Sequence, residues 1–265
     1  MKDSSRPVPR RPASSPKPYF SPAPPRVLAH RGLAIDAPEN TLLAFLHAAS
    51  IGVTHLETDV HGSSDGVAII SHDPDLRRLV SLAVRVGDLT AAELRAIDLG
   101  HGQGFCSLAE ALDAFPESKF NIDVKDRRAI PGTITAITEA GAIPRVLIGS
   151  FSTSRRRATV KGLPGVATSI STIPALFAVI VAKLGIVGLL RRMLRRVDAV
   201  QLPARRFGIA ITTPRTIRHF QEAGVEVHAW TINDPKQMRE LFDAGIDGVV
   251  SDRSDLALDV LRPTG

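Results

Sequence analysis

With 265 residues, 44% of them hydrophobic, 23% charged and 5% aromatic, the chain has the composition of one globular domain that can bury a core, which excludes a disordered or fibrous protein. Lys and Arg outnumber Asp and Glu by 33 to 27, but the excess is concentrated near the N-terminus and in residues 153–206, where Asp198 is the single acidic residue. With one Trp and one Tyr for base stacking, this pattern argues against a nucleic-acid binder, and with Cys106 as the only cysteine no intramolecular disulfide is available.

Residues 1–25 hold Pro7, Pro9, Pro12, Pro16, Pro18, Pro22, Pro24 and Pro25 among Ser and Arg, a composition that removes backbone donors and offers little apolar surface. They are expected to form a disordered basic tail, with residues 26–265 as the folded domain. The tail lacks the apolar run of a secretory signal, so the expected location is cytoplasmic. From Arg26 onward, short runs rich in Val, Ile and Leu alternate with segments of helical period. Strands are expected at 27–30, 55–61, 119–125, 145–151, 165–171, 199–202, 225–231 and 248–251. Helices are expected at 41–51, 107–115, 128–140, 154–161, 174–196, 214–223, 235–244 and 255–261. Eight such alternations predict an α/β fold of the TIM (β/α)8 barrel type. After the second strand, Asp65-Gly66 precedes the apolar run Val67 to Ile70, which reads as a hairpin extension.

In such a barrel the chemistry lies at the carboxyl ends of the strands. The first strand ends in His30-Arg31-Gly32, the second carries Glu57, Asp59 and His61, the third carries Asn121, Asp123 and Lys125, and the seventh carries His228 and Trp230. Alternation along a strand puts Glu57 with Asp59, and Asp123 with Lys125, on one side. Three carboxylates brought together either share a hard cation such as Mg²⁺ or Ca²⁺ or pair with Arg and Lys, and spacing alone leaves both open. His30 and His72 could supply base and acid to one reaction, or one of them could merely brace a loop. Arg31 offers a donor fork suited to phosphate. Gln201 and Trp230, and more weakly Phe151 and Phe207, are candidates for contact with substrate. Asn40 is expected to cap the helix that follows, Glu39 to brace Arg31, and Asp247 and Asp252 to order loops near the eighth strand.

Together the segments His30-Arg31-Gly32, Ala37-Pro38-Glu39-Asn40-Thr41, Glu57-Thr58-Asp59-Val60, Asp65-Gly66, His72-Asp73, Asn121-Ile122-Asp123-Val124-Lys125, His228-Ala229-Trp230-Thr231-Ile232-Asn233-Asp234 and Gly245-Ile246-Asp247-Gly248 resemble the glycerophosphodiester phosphodiesterase family, over residues 26–262. The resemblance implies a TIM barrel and metal-dependent hydrolysis of glycerophosphodiesters to glycerol phosphate and an alcohol. It implies a divalent cation, Mg²⁺ or Ca²⁺, on Glu57, Asp59 and Asp123, catalysis by His30 and His72, and phosphate contacts from Arg31 and Lys125. Family members usually carry Glu where this chain has Asp123, and the shorter arm bears on which metal is held and how tightly.

Residues 175–190 are apolar apart from Lys183 and run into Arg191, Arg192, Arg195 and Arg196. At 1.5 Å per residue they span roughly 24 Å, short of a bilayer crossing. Two readings follow: an outer barrel helix covered by its neighbours or a second subunit, which is the default for such a helix, or peripheral contact of 175–196 with an anionic membrane. The second would favour lysophospholipase D-like hydrolysis of a lipid phosphodiester. A non-catalytic barrel that binds a phosphorylated ligand is a further alternative, against which the full set of acidic and histidine residues argues.

Overall fold

The apolar runs become the strands of a computed structural model that describes residues 17–206 and 208–262. In chain order these are β1 (Arg26–His30), β2 (His55–Gly62), β3 (Ala68–Ile70), β4 (Lys119–Val124), β5 (Val146–Gly149), β6 (Ala167–Thr168), β7 (Ala199–Pro203), β8 (Arg205–Arg206), β9 (Ile209–Ala210), β10 (Glu226–Trp230) and β11 (Gly248–Ser251). Eight of them pair in parallel in the order β6-β5-β4-β2-β1-β11-β10-β7. The ring closes between its two ends, where Ser169 bridges Ala199 and Asp198 N–H donates to the Thr168 carbonyl at 2.8 Å. Helices follow the strands on the outside, as expected of a (β/α)8 barrel.

Strand alternation sorts the side chains between the two sides of this wall. Leu56, Val60, Ile122 and Val124 are fully buried in the main apolar cluster together with residues of the surrounding helices. Phe45, on the helix Leu42–Ser50, meets Phe120 edge-on at 5.9 Å between ring centres. Register then sets the lateral neighbours within the barrel: Glu57 lies beside Asn121, and Asp59 beside Asp123.

The second strand is extended as expected. β3 pairs antiparallel with β2, with His61 opposite Ile69, across a turn in which Gly66 has φ +85°. The chain then makes the short helices Arg77–Val80 and Ala91–Arg95 before the helix Leu108–Ala114. This insertion has its own apolar cluster of Ile69, Leu76, Val86, Leu94 and Phe105.

Two expectations are corrected. The disordered tail does not extend to residue 25, because residues 17–25 pack against the amino-terminal end of the barrel. Tyr19 is fully buried there, edge-on to His55 at 5.1 Å, while Lys17 Nζ donates to Asp198 at 2.8 Å. Arg26 holds the segment by donating to the Phe20 carbonyl at 3.1 Å while pairing with Glu226 at 2.6 Å. The rest of the expected tail, residues 1–16, lies outside the described residues. The long helix expected over 174–196 is in fact two, Thr172–Leu184 and Val187–Leu194. Gly185 between them takes φ +75°, the left-handed geometry that ends a helix and that glycine adopts without a Cβ clash.

Candidate active site

Strand ends and insertion deliver the site residues to one cavity of about 290 Å³, lined by His30, Arg31, Glu57, Asp59, His72, Asn121, Asp123 and Lys125. Its size falls near the lower end of small-ligand sites. β1 supplies His30 at its last position, and Arg31 follows with φ +57°, a left-handed turn rare for a residue with a side chain. Gly32 continues the turn at φ +84°, where an added Cβ would sit 2.6 Å from Ala44 backbone. This close approach of the first strand's end to the first helix is why that position must be glycine.

Each histidine carries its own carboxylate. His30 Nδ1 lies 2.6 Å from Asp252 Oδ1, and Asn233 donates to the other oxygen of Asp252 at 2.7 Å. Burial alone would lower the pKa of His30, but the Asp252 hydrogen bond and the Glu57 charge raise it above the ordinary imidazole value. His72 Nδ1 lies 2.8 Å from Asp73 Oδ1. Arg78 pairs with both Asp73 and Glu39, and Glu39 accepts from Arg31 at 3.0 Å, as expected of a brace. An ionic chain thus ties the insertion to the end of β1.

The same cavity holds the carboxylates. Asp59 Oδ1 is 2.8 Å from Lys125 Nζ, and the same ammonium donates to Asp123 Oδ2 at 2.7 Å. Arg31 Nε stands 3.3 Å from Asp59 Oδ2, and Asn40 donates to that oxygen at 3.4 Å. Burial, then the neighbouring Asp59 charge, pushes the pKa of Glu57 up to about 8. Burial also raises that of Asp123 against the opposing pull of Lys125.

The donor chemistry suits a hard divalent cation. Three carboxylates face two nearby cations, one of which Glu39 shares, and Asp123 Oδ1 is buried without a hydrogen-bond partner. Among the described residues, however, no three acidic, His or Cys side chains stand ready as a cage. Lys125 occupies the ground between Asp59 and Asp123.

The remaining expected residues divide. Gln201, Trp230 and Phe151 line the cavity, with Trp230 and Phe151 in an edge contact at 6.1 Å. Phe207 lies outside the described residues. His228 is fully buried below the mouth, 3.2 Å from Glu226. His61 sits behind the site, with Nδ1 3.1 Å from Asp126 and Nε2 3.2 Å from the carbonyl of His72, where it positions the other imidazole's backbone. Asn40 does not cap the following helix. Thr41 does, accepting from Ala44 N–H at 3.3 Å, and Asn40 instead turns inward to Asp59 and Thr58. Asp252 does more than order a loop, since it is the carboxylate partner of His30. Asp247, at the opposite end, accepts from Val227 N–H at 2.9 Å.

The model of the glycerophosphoryl diester phosphodiesterase family matches residues 30–256, from the His30 end of β1 to the helix that follows Asp252. The chain belongs to that family. Among phosphodiesterases of this family, the "probable glycerophosphodiester phosphodiesterase 2" of Mycobacterium tuberculosis is 41% identical over 90% of this chain and 91% of its own length. The crystal structure of a Thermotoga maritima glycerophosphodiester phosphodiesterase matches with a TM-score of 0.71 and 27% identity, covering 89% of this chain and 97% of that one. An Oleispira antarctica phosphodiesterase, solved with the product sn-glycerol-3-phosphate, shares the fold at a TM-score of 0.73 and 23% identity over 89% of this chain and 96% of its own. No helix among the described residues is long and apolar enough to cross a membrane.

Proposed function

We propose that this phosphoric diester hydrolase cleaves glycerophosphodiesters to glycerol phosphate and an alcohol at the mouth of its barrel, using His30 and His72 as the proton-transfer pair. The observation that carries the reading is that two histidines, each backed by a carboxylate, border one cavity that also holds Arg31, Lys125 and three acidic groups.

His30 is assigned as base. Its Nδ1 faces Asp252, leaving Nε2 to take a proton from the oxygen that attacks phosphorus, and Asp252 stabilises the imidazolium that results. That oxygen belongs either to a water or to the substrate's own 2-hydroxyl, whose cyclic phosphate a water then opens. His72, held by Asp73 on the insertion, is assigned as the acid that protonates the departing alcohol. Arg31 and Lys125 bring donors to the phosphoryl oxygens, and Trp230 forms an apolar wall for the alcohol moiety. Glu57, Asp59 and Asp123 would hold a divalent cation, Mg²⁺ or Ca²⁺, which when bound draws negative charge from the phosphate.

The test is release of alcohol from deacylated glycerophosphodiesters by the purified protein, with each metal and with chelator. Turnover with Mg²⁺ or Ca²⁺, abolished by chelator and reduced at least ~100-fold by His30→Ala or His72→Ala in folded protein, is the expected result. Undiminished turnover by either variant overturns the assignment of the pair, and undiminished turnover in chelator overturns the cation.

A further inference from the structure

The helix Thr172–Leu184 has its apolar character the wrong way round for an outer barrel helix. The side chains it buries are small: Ala175, Ala178, Val179 and Ala182. Those it exposes are large: Ile173, Leu176, Phe177, Ile180 and Leu184 are between 50% and 69% accessible. Their spacing of three and four residues makes one continuous stripe, and no other part of the described chain covers it. Ordinary globular surfaces rarely leave so large an apolar patch without a use.

Two observations say what the patch meets. First, it is continuous with the catalytic cavity. A helix after a barrel strand starts at the mouth, and here Leu176 lines the cavity and belongs to the exposed stripe. Phe151, also half exposed, completes the apolar passage from the catalytic groups outward. Second, its far end runs into cationic residues, Lys183 in the last turn and the arginines on and just after the next helix. Lys183, Arg191, Arg192, Arg195 and Arg196 are all exposed, and residues 153–197 contain no Asp or Glu. Large apolar side chains edged by Lys and Arg complement an anionic lipid surface, into which the former insert while the latter hold headgroups.

We infer that this stripe is a docking surface for an anionic bilayer, and that it leads the acyl chain of a single-chain glycerophosphodiester past Leu176 while the phosphate reaches His30 and His72. The inference rests on the phosphodiesterase reading and names the substrate form that reading leaves open.

Co-sedimentation with vesicles of phosphatidylcholine alone, or mixed equally with phosphatidylglycerol, tests the docking directly. Wild-type protein is expected to sediment with the mixed vesicles only. Ile173→Glu/Phe177→Glu/Ile180→Glu, all at exposed positions outside the cavity, is expected to weaken that binding by roughly tenfold or more, and so is replacement of Arg191, Arg192, Arg195 and Arg196 by Gln. Both variants should hydrolyse a water-soluble deacylated diester as wild type does, while losing a similar factor in kcat/KM on a monoacyl diester carried by the vesicles. Wild-type protein left in the supernatant, or variants that bind and cleave unimpaired, overturns the inference. So does a dimer, seen by analytical ultracentrifugation, that the apolar substitutions dissociate while vesicle binding is unaffected, because the stripe then belongs to a second copy of the chain. Wild-type failure on the soluble diester strikes the phosphodiesterase reading instead, and the sedimentation result still decides docking.

Discussion

Asp252 does not line the cavity, but it holds His30, which does. It fixes which nitrogen of His30 faces inward and favours the protonated ring, while Asn233 fixes Asp252 itself. Asp252→Asn keeps the shape and removes the charge, so the His30 imidazolium should give up its proton at a lower pH than in wild type. We expect kcat to fall roughly 100-fold or more, with the His30 titration followed by NMR moving downward. A full rate loss with an unmoved titration would mean that Asp252 only holds the loop. The residue-scale content of the sequence divides along this line. Strand alternation made the convergence of Glu57, Asp59 and Asp123 legible, because side-chain direction within one strand is a local property. The partnership of His30 with Asp252 spans 222 residues and has no local signature, which is why Asp252 reads as a loop residue until the barrel closes.

At the scale of elements, the eight barrel strands were legible because each is a run of residues buried on both faces and bounded by turns. The hairpin β8–β9 was not, since two-residue strands are too short to show a period. The break near Gly185 is hidden for a different reason: apolar residues continue through it, and periodicity registers side chains while the break belongs to the backbone. Gly185→Ala should therefore lower stability by about 1 kcal/mol, measured by urea unfolding, since the left-handed φ of +75° is unfavourable for alanine. An unchanged midpoint would mean that the two helices can join without cost.

At the scale of the whole molecule, the two ends of the barrel use charge differently. The mouth collects carboxylates with too few cations, whereas the opposite end matches Arg26 to Glu226 under the cover of Tyr19. Burial would raise the Glu226 pKa, but His228 and Arg26 outweigh it and hold the carboxyl below its ordinary value of 4.5. A carboxyl depressed in the folded state contributes stability that is complete at neutral pH and is lost as pH falls from about 4.5 through the folded value. Glu226→Gln should cost roughly 3 kcal/mol at pH 7, because it leaves the Arg26 charge buried. It should also flatten the loss of stability below pH ~4.5, as followed by urea denaturation at several pH values. Equal acid sensitivity in both proteins would place the responsible carboxyl elsewhere.

The insertion after β3 carries His72 and Asp73 and closes over an apolar cluster separate from the main one. Ion pairs of Arg78, Glu39 and Arg31 tie it to the end of β1, alongside hydrogen bonds such as Ser71 N–H to the Asp59 carbonyl and His61 to the His72 carbonyl. The proposed proton-transfer pair is divided between two such bodies, and their joint is its weakest point. At moderate denaturant, turnover should vanish while far-ultraviolet circular dichroism stays native, and amide exchange should quicken first around Leu76 and Leu94. The enzyme would then lose its proton donor by subglobal opening, with the barrel intact beneath it.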